Sequence, residues 1–130
     1  MSNKTPLYHV PVPSTEFIHE ATLDESGPSI RYDFYRDNAA YRGGICFVGA
    51  VAVQKTREPI CTVWQIEECY DTLVEVASSS WAEERFGRRR DESKAQTRLR
   101  HFMIYLDSVG CLEVLAENWQ LLPEQSGAWA

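Results

Sequence analysis

Ten consecutive residues without a charged side chain, residues 44–53, constrain the fold of this chain more than any other stretch. The run is too short to cross a bilayer, which takes about 20 apolar residues in a helix. It is rich in β-branched residues and has polar or charged residues on both flanks, which is typical of a buried strand. Both faces of that strand are apolar, so we expect other parts of the chain to cover it on both sides.

Alternation of apolar and polar residues predicts six further strands. They cover residues 16–23, 30–35, 60–66, 73–77, 102–107 and 111–117. Short turns rich in Gly, Pro, Asn and Asp separate most of them, and strands joined in this way pair antiparallel. The sequence therefore predicts a mainly β (α+β) fold of about seven antiparallel strands, in a strongly curved sheet or a small open barrel.

A chain of 130 residues is expected to form one domain. We predict an extended N-terminal arm at residues 1–15, a β-rich domain at 16–119 and a C-terminal tail at 120–130. The last strand has an alternative interpretation, because four apolar residues of 112–122 also share one helical face. Gly110 and Pro123 permit either structure, and we favour the strand.

The strand pattern stops near residue 80. Ser80 and Glu83 have the spacing of a capping box, which predicts a short helix that starts at Trp81 and ends near Gly87. Residues 85–100 hold seven of the 13 basic residues and two acidic ones, a local charge of +5 against −11 elsewhere. We expect one partly helical insertion around 80–100; a solvated second helix and a mobile loop are the alternatives.

Composition narrows the classes of function. A net charge of −6 argues against a general nucleic-acid binder, so nucleic acid is not an expected partner. The first residues lack an apolar signal region, so we expect a cytoplasmic protein with no membrane contact. The four cysteines show no Cys-x-x-Cys pair and are interpreted as reduced, buried thiols rather than a zinc site.

No nucleophile elbow, phosphate loop or dinucleotide fingerprint occurs. Residues 78–80, three serines, are interpreted as a strand-to-helix connection with a cap. We therefore predict no catalytic residue, no metal and no cofactor. The candidate binding residues are the arginines of the basic segment and four residues of the last predicted hairpin: Arg88, Arg89, Arg90, Arg98, Arg100, His101, Tyr105, Glu113 and Glu117.

Two functional hypotheses follow. The first is a small binding module that takes a protein partner or an acidic ligand through its sheet face or its basic segment. The alternative is a small-molecule-binding barrel or a small enzyme, with carboxylates and a histidine on the concave face of the sheet. Because an open sheet has unpaired edges, a homodimer is a further expected partnership.

Overall fold

The protein is described by a computed structural model over residues 3–25, 27–89 and 99–127. Within these residues there are nine strands and one α-helix, α1, at Ser80–Arg89. The strands are β1 (Lys4–His9), β2 (Thr22–Asp24), β3 (Ser29–Arg36), β4 (Ala39–Val48), β5 (Ala52–Thr56), β6 (Thr72–Val76), β7 (Arg100–Leu106), β8 (Gly110–Ala116) and β9 (Asn118–Ser126). Two 3-10 helices lie at Ser14–Glu16 and Glu58–Ile60.

The strands form two antiparallel sheets. One has the order β1-β6-β7-β8-β5, and the other has the order β2-β3-β4-β9. The prediction of a mainly β, antiparallel fold with a short helix is confirmed, and the two sheets do not close into a barrel. The segments predicted as an N-terminal arm and a C-terminal tail contribute β1 and most of β9, each at the edge of a sheet.

The uncharged run at residues 44–53 is not one strand, and that part of the prediction is wrong. β4 ends at Val48, the chain turns at Gly49, and β5 continues in the other sheet. Gly49 has a φ of +66°, and a Cβ there would lie 2.7 Å from the side chain of Glu117. Only glycine fits this corner without strain, because it lacks a Cβ and adopts positive φ freely.

The chain also crosses between the sheets at Glu117, between β8 and β9. The two crossings are hydrogen-bonded to each other, with Glu117 N to Val48 O at 2.9 Å and Val51 N to Leu115 O at 2.9 Å. The antiparallel β4–β9 pair of one sheet therefore continues directly into the antiparallel β5–β8 pair of the other sheet. The expectation that both faces of the run are covered is wrong, because Ile45 and Phe47 are buried whereas Val48 and Val51 are 42% and 40% exposed.

The main core lies between the two sheets. Its fully buried side chains come from both layers: Ile30, Phe34, Ile45, Leu73, Phe102, Ile104, Leu106 and Leu112. Phe47 and Phe102 meet across the layers with their ring centroids 5.6 Å apart. The side of the five-stranded sheet that faces this core is called the inner face below.

Residues 57–71, the cover segment, lie on the opposite, outer face of the five-stranded sheet. Cys69 of this segment packs in a second buried cluster with residues of the strands beneath it: Val74, Val76, Met103, Tyr105 and Cys111. Gln65 Nε2 donates to Thr56 Oγ1 at 2.9 Å, and Lys4 Nζ donates to the carbonyls of Trp64 and, at 2.7 Å, of Glu67. These bonds attach the cover segment to the strands at both edges of the sheet.

The strand predicted at residues 60–66 is wrong. This stretch starts in the 3-10 helix and continues as turns, with bonds such as Gln65 N to Thr62 O at 3.1 Å. The strand predicted at 16–23 is reduced to Thr22–Asp24. At residues 112–122, by contrast, the strand interpretation is confirmed and the helical alternative is wrong, because β8 and β9 cover this stretch.

Candidate functional site: a pocket on the outer face

An open pocket of about 230 Å³ lies on the outer face, where the cover segment meets the start of α1. Two tryptophans, Trp64 from the cover segment and Trp81 from the helix, contribute to its lining. The other lining residues are mostly polar: Asn3, Gln54, Val76, Ser78, Ser79, Ser80, His101 and Glu113. Of the residues predicted to bind a ligand, the structure brings His101 and Glu113 together here.

His101 and Glu113 form a buried, hydrogen-bonded pair. His101 lies opposite Leu115 and Glu113 lies opposite Met103, so the two residues are diagonal neighbours on one face of the β7–β8 hairpin. The distance from His101 Nε2 to Glu113 Oε1 is 2.9 Å, and each residue is only 5% exposed. The ring of Trp81 meets the imidazole edge-on, with the centroids 5.2 Å apart.

Ser79 extends this pair into a chain of three side chains. Its Oγ lies 2.8 Å from His101 Nδ1 and accepts a hydrogen bond from the backbone N–H of Ala82 at 3.1 Å. Ser79 is therefore the N-cap of α1, whereas the sequence predicted Ser80 in that role. The capping box is wrong by one residue, and Glu83 donates its N–H to the Ser79 carbonyl at 3.0 Å.

One proton arrangement links the three groups in a single direction. Because Ser79 Oγ accepts from Ala82, its own O–H is available to donate to His101 Nδ1 when that nitrogen carries no proton. In that tautomer the imidazole proton is on Nε2 and is donated to the Glu113 carboxylate. All three side chains are satisfied in this arrangement, which a buried polar group requires.

Three other predicted residues lie away from the pocket. Arg100 binds Glu75 Oε1 at 2.7 Å and Asn118 Oδ1 at 3.0 Å, and its guanidinium lies over the inner-face ring of Phe102. Glu117 lies at the corner beside Gly49.

Tyr105 shares the outer face with His101 but lies under the far end of the cover segment, where its ring is 5.3 Å from that of Tyr70. Burial and a hydrogen bond to Glu58 raise the pKa of Tyr105 to about 12. The phenol therefore stays protonated at neutral pH and is a buried packing residue.

The basic segment contributes no described side chain to the pocket. The backbone of Arg88 and Arg89 belongs to the last turn of α1. Arg90 and Arg98 lie outside the described residues. The hypothesis that these four arginines bind a ligand stays a prediction.

Sequence reasoning missed the role of Ser79 and of the two tryptophans in this site. Trp64 falls in the stretch predicted as a strand at residues 60–66, but it lies in a turn, is 38% exposed and lines the pocket. A run of three serines between a strand and a helix was the available signal, and it pointed only to a cap. Nothing in a single sequence indicates that a serine 22 residues before a histidine will contact it.

The described residues contain no group of three or more His, Cys, Asp or Glu side chains placed to hold a metal ion. In the same part of the chain, no helix has the length and apolar character needed to cross a membrane. No family model, no curated protein and no solved structure matches this chain, so the function must be argued from its own residues.

Proposed function

We propose that this protein is a β-rich binding module whose ligand occupies the pocket between Trp64 and Trp81. The observation that carries this proposal is the buried His101–Glu113 pair at an open pocket. Apolar side chains fill most of the rest of the outer face. A buried hydrogen-bonded pair adds little to stability compared with apolar residues of the same volume, so its position at an opening favours a binding role.

The lining supports a small organic ligand with a flat apolar part and an acceptor oxygen. The two indoles present broad aromatic surfaces to the flat part. The first turn of α1 lies at the pocket, and backbone N–H groups there have no acceptor within the helix. These N–H groups and the positive end of the helix dipole favour a carbonyl or carboxylate oxygen.

A fragment library screened by protein-observed NMR tests this proposal. Ligands that bind are expected to shift the indole N–H signals of Trp64 and Trp81, and the Trp64→Ala variant should bind them about tenfold more weakly, a loss of about 1.4 kcal/mol. Trp119 is an internal control, because it lies on β9 in the four-stranded sheet and its ring packs against Tyr8. Ligands that shift only Trp119, or an absence of binding at millimolar concentrations, would contradict the proposal.

A protein partner is the second candidate, favoured by exposed apolar side chains beside the pocket. Ile60 and Val63 of the cover segment are 68% and 75% exposed, and they lie close in sequence to Trp64. A patch of this kind next to a pocket is typical of a surface that receives a side chain from a partner. The partner could be another protein or a second copy of this chain.

Three of the four edge strands oppose strand addition, and the fourth, β5, is only five residues long, which favours the cover segment as the route to a dimer. β1 contains Pro6 and a register shift, β9 contains Pro123, and β2 is only three residues long. Each of these features hinders the addition of a further strand.

Sedimentation of the Ile60→Ser and Val63→Ser variants tests the second candidate. If the cover segment mediates self-association, both substitutions convert a dimer into a monomer. Tyr35→Ser is the matched control, because Tyr35 is 52% exposed on the four-stranded sheet. A dimer that survives both substitutions, or one that Tyr35→Ser disrupts, would overturn this candidate.

The cytoplasm is the compartment that suits this proposal. All four cysteines, Cys46, Cys61, Cys69 and Cys111, are free thiols. Burial raises the pKa of the Cys69 thiol to about 11, which keeps it protonated and slow to react. Free thiols persist where the redox environment is reducing.

A further inference from the structure

We propose that Ser79 is a nucleophile, with His101 as its base and Glu113 as the orienting carboxylate, and that it cleaves small esters or related activated acyl groups. This inference rests on the proposed pocket, because the acyl group would occupy the space between Trp64 and Trp81. It goes beyond binding, because it assigns a covalent step to a named atom.

The order of the three side chains supports this assignment. Ser79 Oγ lies 2.8 Å from His101 Nδ1, and His101 Nε2 lies 2.9 Å from Glu113 Oε1. A hydroxyl, an imidazole and a carboxylate in this sequence form the constellation that activates a serine for attack on a carbonyl. The imidazole is turned relative to the serine-protease arrangement, but the lone pair of Nδ1 accepts a proton by the same chemistry as that of Nε2.

The backbone immediately before Ser79 independently supports its assignment as a nucleophile. Ser78, immediately before the nucleophile, has a φ of +55°, so the chain turns sharply between β6 and α1. A strand–turn–helix setting of this kind presents a serine hydroxyl at the edge of a sheet. The N–H of Ala82 already donates to Ser79 Oγ and would stabilise negative charge that develops there.

The first turn of α1 also provides donors for the oxyanion. The N–H groups of Ser80 and Trp81 belong to this turn, where the helix itself supplies no acceptor. Both residues line the pocket. The positive end of the helix dipole adds to the stabilisation of an oxyanion at this position.

A capping role alone does not explain the arrangement. Capping needs only the acceptor oxygen of Ser79, which the bond from Ala82 already uses. The same oxygen also lies 2.8 Å from His101 Nδ1, so when Nδ1 carries no proton the O–H donates to a base that a buried carboxylate orients. This chain of groups reaches the pocket, where a substrate carbonyl could approach it.

The proposed reaction is hydrolysis in two steps. Ser79 Oγ attacks the acyl carbon, its proton moves to His101 Nδ1, and the carbonyl π electrons move to oxygen. Collapse of this intermediate expels the alcohol, which takes the proton from Nδ1, and leaves an acyl ester on Ser79. Water then attacks that ester, giving its proton to Nδ1, and release of the carboxylic acid restores the serine hydroxyl. The sum is ester plus water to acid plus alcohol, and Glu113 keeps its bond to Nε2–H throughout.

A fluorophosphonate probe, which phosphonylates activated serines with loss of fluoride, tests the proposal on the full chain. We expect one adduct in the intact mass spectrum, and peptide mapping should place it on Ser79. Because general base catalysis contributes about 100-fold or more, the His101→Asn variant should label about 100-fold more slowly. Glu113→Gln should also label more slowly, since it weakens the orientation of the imidazole.

Matched variants separate a chemical role from a structural one. Ser79→Gly keeps most of the capping preference but has no nucleophile, so it should fold and take no adduct. Ser126→Ala, at an exposed position on edge strand β9 of the other sheet, should label at the wild-type rate. No adduct on Ser79 of the folded wild type, or labelling that is unchanged in His101→Asn, would overturn the proposal.

The NMR screen distinguishes failure of this inference from failure of the binding proposal. Fragments that bind while Ser79 resists the probe would leave the pocket as a binding site without catalysis. An adduct on Ser79 in a protein that binds no fragment would support the chemistry and contradict the binding module.

Discussion

The two faces of the β7–β8 hairpin are equally buried but differ in chemistry. Apart from Arg100 at the start of β7, the inner face carries apolar side chains: Phe102, Ile104, Leu106, Leu112, Val114 and Ala116. The outer face carries His101 and Glu113 among sulfur-containing, aromatic and aliphatic residues. The inner face is covered by a second sheet, and the outer face is covered by irregular chain and the start of a helix.

The type of cover determines which residues can be buried. A sheet uses its backbone groups in its own ladder and offers only side chains to a facing layer. A turn segment or a helix end has backbone groups left over, and these can bind polar side chains. Cys69 Sγ donates to Gln65 O at 3.1 Å, Lys4 Nζ donates to Glu67 O, and Ser79 connects the helix start to His101. The outer face can therefore hold polar groups that the inner face would exclude.

The largest expected effect is on the inner face. Phe102→Ala should lower the free energy of unfolding by about 3–5 kcal/mol, because it removes a fully buried ring from between the sheets. Met103→Leu, at the next residue on the outer face, keeps the volume and should cost less than about 1.5 kcal/mol. Urea denaturation of both variants measures the difference. Equal losses would show that the inter-sheet core does not dominate stability.

Removal of one member of the outer-face pair should have the next largest effect. Glu113→Leu leaves the buried imidazole without its acceptor and should cost about 2–3 kcal/mol. The His101→Leu/Glu113→Leu double variant removes both polar groups, so it should lose less than the sum of the two single variants. A thermodynamic cycle from denaturant curves measures this coupling. Strict additivity would mean that the pair makes no direct contact in solution.

The outer-face thiols should make the protein sensitive to alkaline pH. Burial raises the folded-state pKa of Cys69 to about 11, above the ordinary value of a thiol, and burial also raises the pKa of Cys111. The unfolded chain loses these protons first, so this contribution is complete below about pH 8.5 and is lost as pH rises towards 11.

We expect a loss on the order of 1–2 kcal/mol over that range. The urea midpoints at pH 8 and pH 10.5 measure this loss of stability. If the Cys69→Ala variant loses as much stability between the two pH values, other groups cause the loss.

The smallest expected effect concerns the helix cap. Ser79→Ala should destabilise the protein by about 1 kcal/mol, because Ala82 loses its capping acceptor and His101 loses a partner. Ser80→Ala should change stability by less than about 0.5 kcal/mol, as expected for a substitution away from such contacts. Thermal melts compare the two. A larger loss of stability in Ser80→Ala than in Ser79→Ala would support Ser80 as the N-cap, as the sequence predicted.

Much of the fold could be predicted from the sequence, but less of the site could. The alternation at residues 102–117 correctly indicated a hairpin with Phe102 and Ile104 on one side and His101 on the other. It also placed His101 and Glu113 on one face, and the structure brings these two together. The burial of this pair under irregular chain could not be predicted, because alternation does not reveal whether other chain segments cover a face.

The sequence by itself determined the antiparallel strands, the β7–β8 hairpin and the short helix after residue 80, because periodicity, turn residues and caps act within a few residues of one another. Only the tertiary structure decided that the chain changes sheets at Gly49, that the cover segment lies on the outer face and that Ser79 contacts His101. These features depend on contacts between residues distant in sequence. Local pattern carries no information about which distant groups meet, so the candidate site became visible only in the folded chain.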